Sequence, residues 1–344
     1  MADIRVEARA TNPLIHLTSD QLAATVTPAK GGDIVSLRHR ATDQEIFWQS
    51  PWGGRPSGHE LPASSPNDAW MQQYAGGWQL LLPNAGDACT HAGNRHVFHG
   101  EGSLAPWDWA TDGDTLILRL DFFSLPLTMT RRLRLDGDLL TIAESLTNTS
   151  VRPVELVWGQ HPGFGGALLD GPARLTSGAQ RITVDSRTRY LRAEHESDWP
   201  YTETATGERV DLRTPLEGQP GMAYLRDFTS GWAGLTRADG ALGIALSWDA
   251  DLFPVAWLWE ELGAGQGQPW FGRGRVIGIE PCTSWPGHGL AAIAETTGTQ
   301  LRLAPGERRD TTLHLHVFTG LSEVTGVADG RAQGTAGRAQ RRDN

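Results

Sequence analysis

The stretch Leu127–Ser150, "LTMTRRLRLDGDLLTIAESLTNTS", decides the fold class. Leu127, Met129, Leu133 and Leu135 alternate with polar residues on one side of Asp136-Gly137, and Leu140, Ile142 and Leu146 alternate on the other. A period of two puts one face of an extended chain in a core, and Asp-Gly between two such runs signals a hairpin. Immediately upstream, "TLILRLDFF" repeats the pattern through Leu116, Leu118, Leu120 and Phe122.

Working outward, similar short runs recur in "LAATVTPAKGGDIVSLRH", "PVELVW", "WAGLTRADGALGIALSW", "VAWLWEEL", "RVIGIEP" and "TTLHLHVFTG", separated by Gly, Pro, Asn and Asp clusters. No segment carries the pattern of a long capped helix. The expectation is an all-β protein, a large antiparallel β-sandwich of two packed sheets. No fixed-period repeat and no linker interrupts the chain, so residues 1–325 are expected to form one domain. Residues 326–344, "GVADGRAQGTAGRAQRRDN", hold almost no large apolar side chain and are expected to be a disordered tail.

Composition narrows the function. At 344 residues and 39% hydrophobic, with no apolar run of the ~20 residues that would span a bilayer, the chain reads as soluble and not membrane-bound. The opening "MADIRVEARATNP" lacks a secretory pattern, which makes the cytoplasm the expected location. A net charge of -10 argues against a nucleic-acid partner. Lys30 is the only lysine, which reads as codon usage. Cys89 and Cys282 lie far apart without CxxC spacing, so free thiols are expected.

Three stretches place titratable residues beside glycines near strand ends. In Gly76–Trp109, His91, His96 and His99 do not match a usual metal-binding pattern, and no metal is expected. A solvated glycine-rich loop is the simple reading, but Gly100 beside His99 leaves room for a close approach. In "GQHPGFGG", residues Gly159–Gly166, a histidine leaving a strand is most often satisfied by one backbone hydrogen bond. The surrounding glycines and Pro162 suggest instead a turn that exposes His161 to a concavity, where an imidazole can exchange protons at neutral pH. In "RVIGIEPCTSWPGHG", Glu280 ends an apolar strand. A salt bridge to Arg273 or Arg275 and a catalytic role with a raised pKa are equally reasonable there. Fourteen tryptophans include several beside these stretches, and an indole suits a sugar ring as well as a core.

In this order, "LLPNAGD", "AGNRHVFHG" and "APWDW", then "WGQHPGFGG", then "IGIEPCTSWPGHGL", the chain resembles the aldose 1-epimerase (galactose mutarotase-like) family over most of residues 20 to 320. The resemblance implies a β-supersandwich and a cofactor-independent aldose 1-epimerase that interconverts the α and β anomers of a hexose or related sugar. It implies catalytic roles for Glu280, His161 and His99, with Glu280 as base at O1, His161 as acid at O5, and His99 steadying O5 or a neighbouring hydroxyl. Asn84, Arg95 and Trp285 are expected substrate contacts from their nearness to the motifs. The implied partner is a small sugar, with the chain a monomer or homodimer. Asp87 stands where the family often has arginine, and none of Asp249, Asp251, Glu260 and Glu261 is a clear match for the family's sugar-gripping aspartate. A non-catalytic carbohydrate-binding protein, or a sugar-phosphate mutarotase, isomerase or lyase on the same scaffold, are the alternatives.

Overall fold

The computed structural model describes residues 3–9, 12–55 and 59–336. The hairpin forms as read. Leu127–Asp136 pairs antiparallel with Leu139–Asn148, and the two-residue loop is Gly137-Asp138, with Gly137 at φ +59 in its first position. The turn therefore sits one residue later than Asp136-Gly137.

This hairpin lies within an eight-stranded sheet ordered Ala173–Ser177, Gly231–Arg237, Gly243–Trp248, Arg308–Phe318, Leu139–Asn148, Leu127–Asp136, Thr115–Asp121 and Asp108–Asp112. A second sheet has twelve strands. Its central part runs Asp33–His39, Trp78–Leu81, Gly159–Phe164, Arg275–Cys282, Val255–Leu262, Gly221–Arg226 and Arg181–Val184, all paired antiparallel. Leu118, Leu133, Ile142 and Leu315 from the first sheet share one apolar core with Ile34, Leu80, Phe164, Ile277 and Ile279 from the second. That burial, at about 25 cal/mol per Å² of apolar surface, is the main force joining the layers.

The core also encloses a charged pair. Arg131 Nε donates to Glu144 Oε1 at 2.7 Å with both side chains fully buried. Glu144 Oε2 accepts from Trp158 Nε1 and Gln160 Nε2, and Trp78 Nε1 donates to Gln160 Oε1. This network ties the hairpin to the strand carrying His161.

Two readings change. His161 does not sit in a turn: Gly159–Phe164 is a central strand, buried throughout. Its glycines make room for neighbours, since a Cβ on Gly163 would lie 2.9 Å from the Tyr74 hydroxyl and one on Gly159 would lie 3.2 Å from Cys282 Sγ. The chain end also orders further than composition suggests. Leu321–Ala328 pairs with Arg331–Ala336, and Val324, Val327 and Ala332 pack with Ala245 and Phe318, so small side chains are enough once a backbone ladder forms. Residues 337–344 of the expected tail lie outside the described residues. Two short helices, α1 (Pro66–Gln73) and α2 (Leu290–Thr296), complete the framework used below. No helix of the described residues is long and apolar enough to cross a membrane.

Candidate active site

Period-two arithmetic builds the site on the twelve-stranded sheet. Gln160 and Phe164 face the core, so His161 and Gly163 face away from it; likewise Ile277 and Ile279 face the core, and Gly278 and Glu280 face away. The register pairs Gly159 with Cys282 and Gly163 with Gly278, which leaves His161 directly opposite Glu280. Gln79 pairs with His161 on the other side, and Trp257 pairs with Glu280. Four adjacent strands thus lay Gln79, His161, Glu280 and Trp257 side by side on one face.

A cavity of about 280 Å³ lies over this face. Helix α1 supplies Trp70 and Met71 with Tyr74 at its C-terminal end, the loop after Leu81 supplies Gly86, Phe98 and His99, and Trp259 and Trp270 close the remaining side. Helix α1 starts where Ser65 accepts from the Asp68 N–H, with Pro66 in the first turn. A second, more open pocket of about 410 Å³ shares Met222, Trp259 and Gly287 with the cavity and is edged by Arg187, Arg189 and His288.

Inside, His161 Nε2 lies 3.6 Å from Glu280 Oε1. Both residues are buried, and among the described residues no protein group donates a hydrogen bond to the Glu280 carboxyl. Burial pushes the Glu280 carboxyl well above its usual range and pulls His161 down to about 4. Gly278 makes the geometry possible, because a Cβ there would lie 2.4 Å from Glu280 Oε1. Of the two readings of Glu280, the salt bridge does not form: Arg275 pairs with Glu217 at 2.9 Å, and Arg273 lies over Phe271.

His99 is held in left-handed backbone at φ +58, ahead of Gly100 at φ +77. Its ring is 5.3 Å from that of His161. Its Nδ1 accepts the Gly86 N–H at 3.1 Å, which assigns the proton to Nε2. Burial, reinforced by His161 and Lys30, holds this imidazole well below its ordinary pKa, so it is a neutral donor.

The expected contacts fare differently. Asn84 is fully buried and does not line the cavity: its Nδ2 donates to the Asp87 and Val97 carbonyls, and its Oδ1 accepts the Leu290 N–H at the start of α2. Arg95 is exposed on the hairpin Cys89–His91/Asn94–His96 and does not line the cavity, because that hairpin points its turn at solvent. Trp285 packs on Tyr224 under the Arg226 guanidinium, outside the cavity, and Gly287 two residues on lines it instead. Glu260 accepts the Leu216 N–H and Glu261 the Gly265 N–H, while Asp249 and Asp251 border other surfaces. Asp87 pairs with Arg187 at 2.7 Å, and Cys89 and Cys282 are free thiols. Trp70, Tyr74 and Trp270 were not singled out; the Ser-Pro-Asn-Asp start of α1 was the available signal for the first two.

The model of a domain of unknown function (DUF4432) matches residues 10–317. The chain belongs to the DUF4432 family. No curated protein matches this DUF4432 chain. Among solved structures, it is similar to a "putative aldose 1-epimerase" from Klebsiella pneumoniae subsp. pneumoniae, with TM-score 0.70 and 18% identity over 92% of this chain and 83% of the other. It is also similar to galactose mutarotase-like proteins from Lactobacillus casei, with TM-score 0.65 and 17% identity over 89% and 100%, and from Clostridium acetobutylicum, with TM-score 0.64 and 16% identity over 92% and 99%. This DUF4432 member therefore has the galactose mutarotase-like sandwich fold and is a divergent example of it.

Proposed function

We propose that the chain is a cofactor-independent aldose 1-epimerase acting on a hexose or related sugar. The observation that carries this reading is the His161–Glu280 pair, two proton-transfer groups 3.6 Å apart in an aromatic cavity, with no protein group among the described residues hydrogen-bonding the carboxyl.

Anomer exchange needs a base at the C1 hydroxyl and an acid at the ring oxygen, then the reverse as the ring closes on the other face. The pair holds one mobile proton. Before substrate binds, burial favours the uncharged arrangement, with the proton on Glu280. Sugar hydroxyls contacting both groups carry the proton across to His161. The resulting carboxylate has a raised pKa and is a strong base at O1, and the imidazolium has a depressed pKa and is a strong acid at O5. Each positioned group contributes ~10²–10⁴-fold. His99 donates from Nε2 to O5 or a neighbouring hydroxyl, and the indoles of Trp70, Trp259 and Trp270 offer apolar faces to the ring.

The test is polarimetry of freshly dissolved single anomers across neutral and phosphorylated hexoses. Saturable acceleration of optical-rotation decay for one sugar supports the enzyme. Saturable binding without acceleration would instead make the chain a sugar-binding protein, and any product besides the other anomer would indicate a different reaction.

A further inference from the structure

Lys30 is the only lysine among the 30 basic residues, and its ammonium is buried. It sits in the turn between Leu22–Thr27 and Asp33–His39, with Nζ 2.6 Å from Asp33 Oδ2. Gly31 holds φ +68, and a Cβ there would lie 2.3 Å from Asp33 Oδ1, so the turn needs glycine for the aspartate to fold beneath the lysine. A buried ion pair adds little net stability, because desolvation offsets the attraction. Its location suggests another use.

The pair belongs to the same sheet face as the site. Asp33 Oδ2 accepts from Gln79 Nε2 at 3.4 Å, and Gln79 stands opposite His161 in register. Lys30 Nζ lies 5.6 Å from the Trp70 ring centroid, and that indole meets His99 at 4.8 Å and His161 at 5.7 Å. One ion pair, with its ammonium against Trp70, therefore stands behind both imidazoles. The other titratable groups facing His161 are Glu280, His99 and Tyr74; Arg131 approaches the Lys30 turn from behind, through the Gly32 carbonyl, with its charge countered by Glu144. Asp33 Oδ1, Gln79 Oε1, the Tyr74 hydroxyl and His161 Nδ1 are all buried without a hydrogen bond of ordinary geometry. The floor is thus not a saturated structural network.

We propose that Lys30, fixed by Asp33, is a positioning residue for the reaction: a buried ammonium behind Trp70 that keeps His99 a neutral donor and holds the His161 imidazole uncharged until substrate arrives. Repulsion from Lys30 adds to burial in lowering both histidines. A compact ammonium suits this single short contact, whereas a guanidinium fork would present four further donors to a site with one carboxylate. The inference rests on the acid–base reading of His161.

The test is an NMR titration of ring-labelled histidines in the full-length protein without substrate, the His161 signal being assigned by its loss in His161→Asn. Lys30→Met alone strands a buried carboxylate, so the Lys30→Met/Asp33→Asn variant, which removes both charges, is the informative one. In it, His161 is expected to titrate higher than in wild type, by roughly half a pH unit or more. Both limbs of the pH–rate profile are expected to move the same way, since Lys30 outweighs Asp33 at both imidazoles and loss of the pair favours the protonated form at each step. Superimposed His161 titrations, with only thermal stability or KM altered, would make Lys30 merely structural and overturn the inference. A shifted titration in a protein that accelerates no anomerisation would instead remove the acid–base reading and leave the electrostatic relationship intact.

Discussion

His161 Nε2 faces Glu280 Oε1 at 3.6 Å, just beyond a direct hydrogen bond, across two antiparallel strands whose register sets them opposite each other. Because the pair works with one proton, kcat/KM is expected to be bell-shaped in pH, and the two apparent pKa values belong to the pair. Activity falls as pH drops towards about 4, where His161 takes up a proton and the pair has no base left. It falls again above the raised Glu280 value, where the pair has no acid. A profile with a single limb would contradict the shared proton.

Glu280→Gln is expected to raise the melting temperature. Above the ordinary value of 4.5 an unfolded chain releases the glutamate proton while the folded one retains it. The unfolded state then binds fewer protons, so wild-type stability falls as pH rises through this window. Glutamine does not titrate, and its advantage grows from pH near 4.5 towards neutrality. Calorimetry across that range checks the sign.

His99→Asn tests the neutral donor. Asparagine tolerates the left-handed backbone at φ +58 but is too short to replace the Nε2 donor. Turnover is expected to fall about 10- to 100-fold with little change in melting temperature. A large loss of stability with normal turnover would assign His99 to the loop rather than to the substrate.

Gly278→Ala pushes a methyl to 2.4 Å from Glu280 Oε1. The flexible carboxyl end swings away to relieve the contact, so the cost in stability is expected to be small, about 1 kcal/mol. The displaced carboxyl should lower kcat by more than that cost implies for folding, which denaturation and steady-state kinetics on one preparation separate.

Glu144→Ala leaves Arg131 charged and unpaired in the core, and frees Gln160 beside His161. A destabilisation of about 3–5 kcal/mol is expected by urea unfolding. Replacing Arg131 and Glu144 together with apolar residues of similar volume should recover most of it.

The strands were legible because one face of each is buried and the period of two survives in sequence, as in Leu127–Asn148. The strand carrying His161 was not, because both its faces are buried and its glycines look like turn residues when they are sites of close approach. His161, Glu280 and His99 were legible from the resemblance, and all three line one cavity. Asn84, Arg95 and Trp285 were assigned by nearness in sequence, which a sheet does not respect: residues adjacent along a strand point to opposite faces, and loops direct theirs elsewhere. The aromatic walls from α1 and from Trp270 come from segments on either side of His161 and far from it in the chain, so nothing in the local sequence around His161 announces them. Lys30 looked like codon usage until the turn placed it behind Trp70.

The most direct measurement is magnetisation transfer between the anomers of the responding sugar at equilibrium, with wild type and Glu280→Gln compared at matched, saturating sugar. The account expects wild type to accelerate exchange and the variant to bind the sugar yet lose about 10²–10⁴-fold of that acceleration. Undiminished exchange in the Glu280→Gln protein would contradict the acid–base pair at the centre of the account.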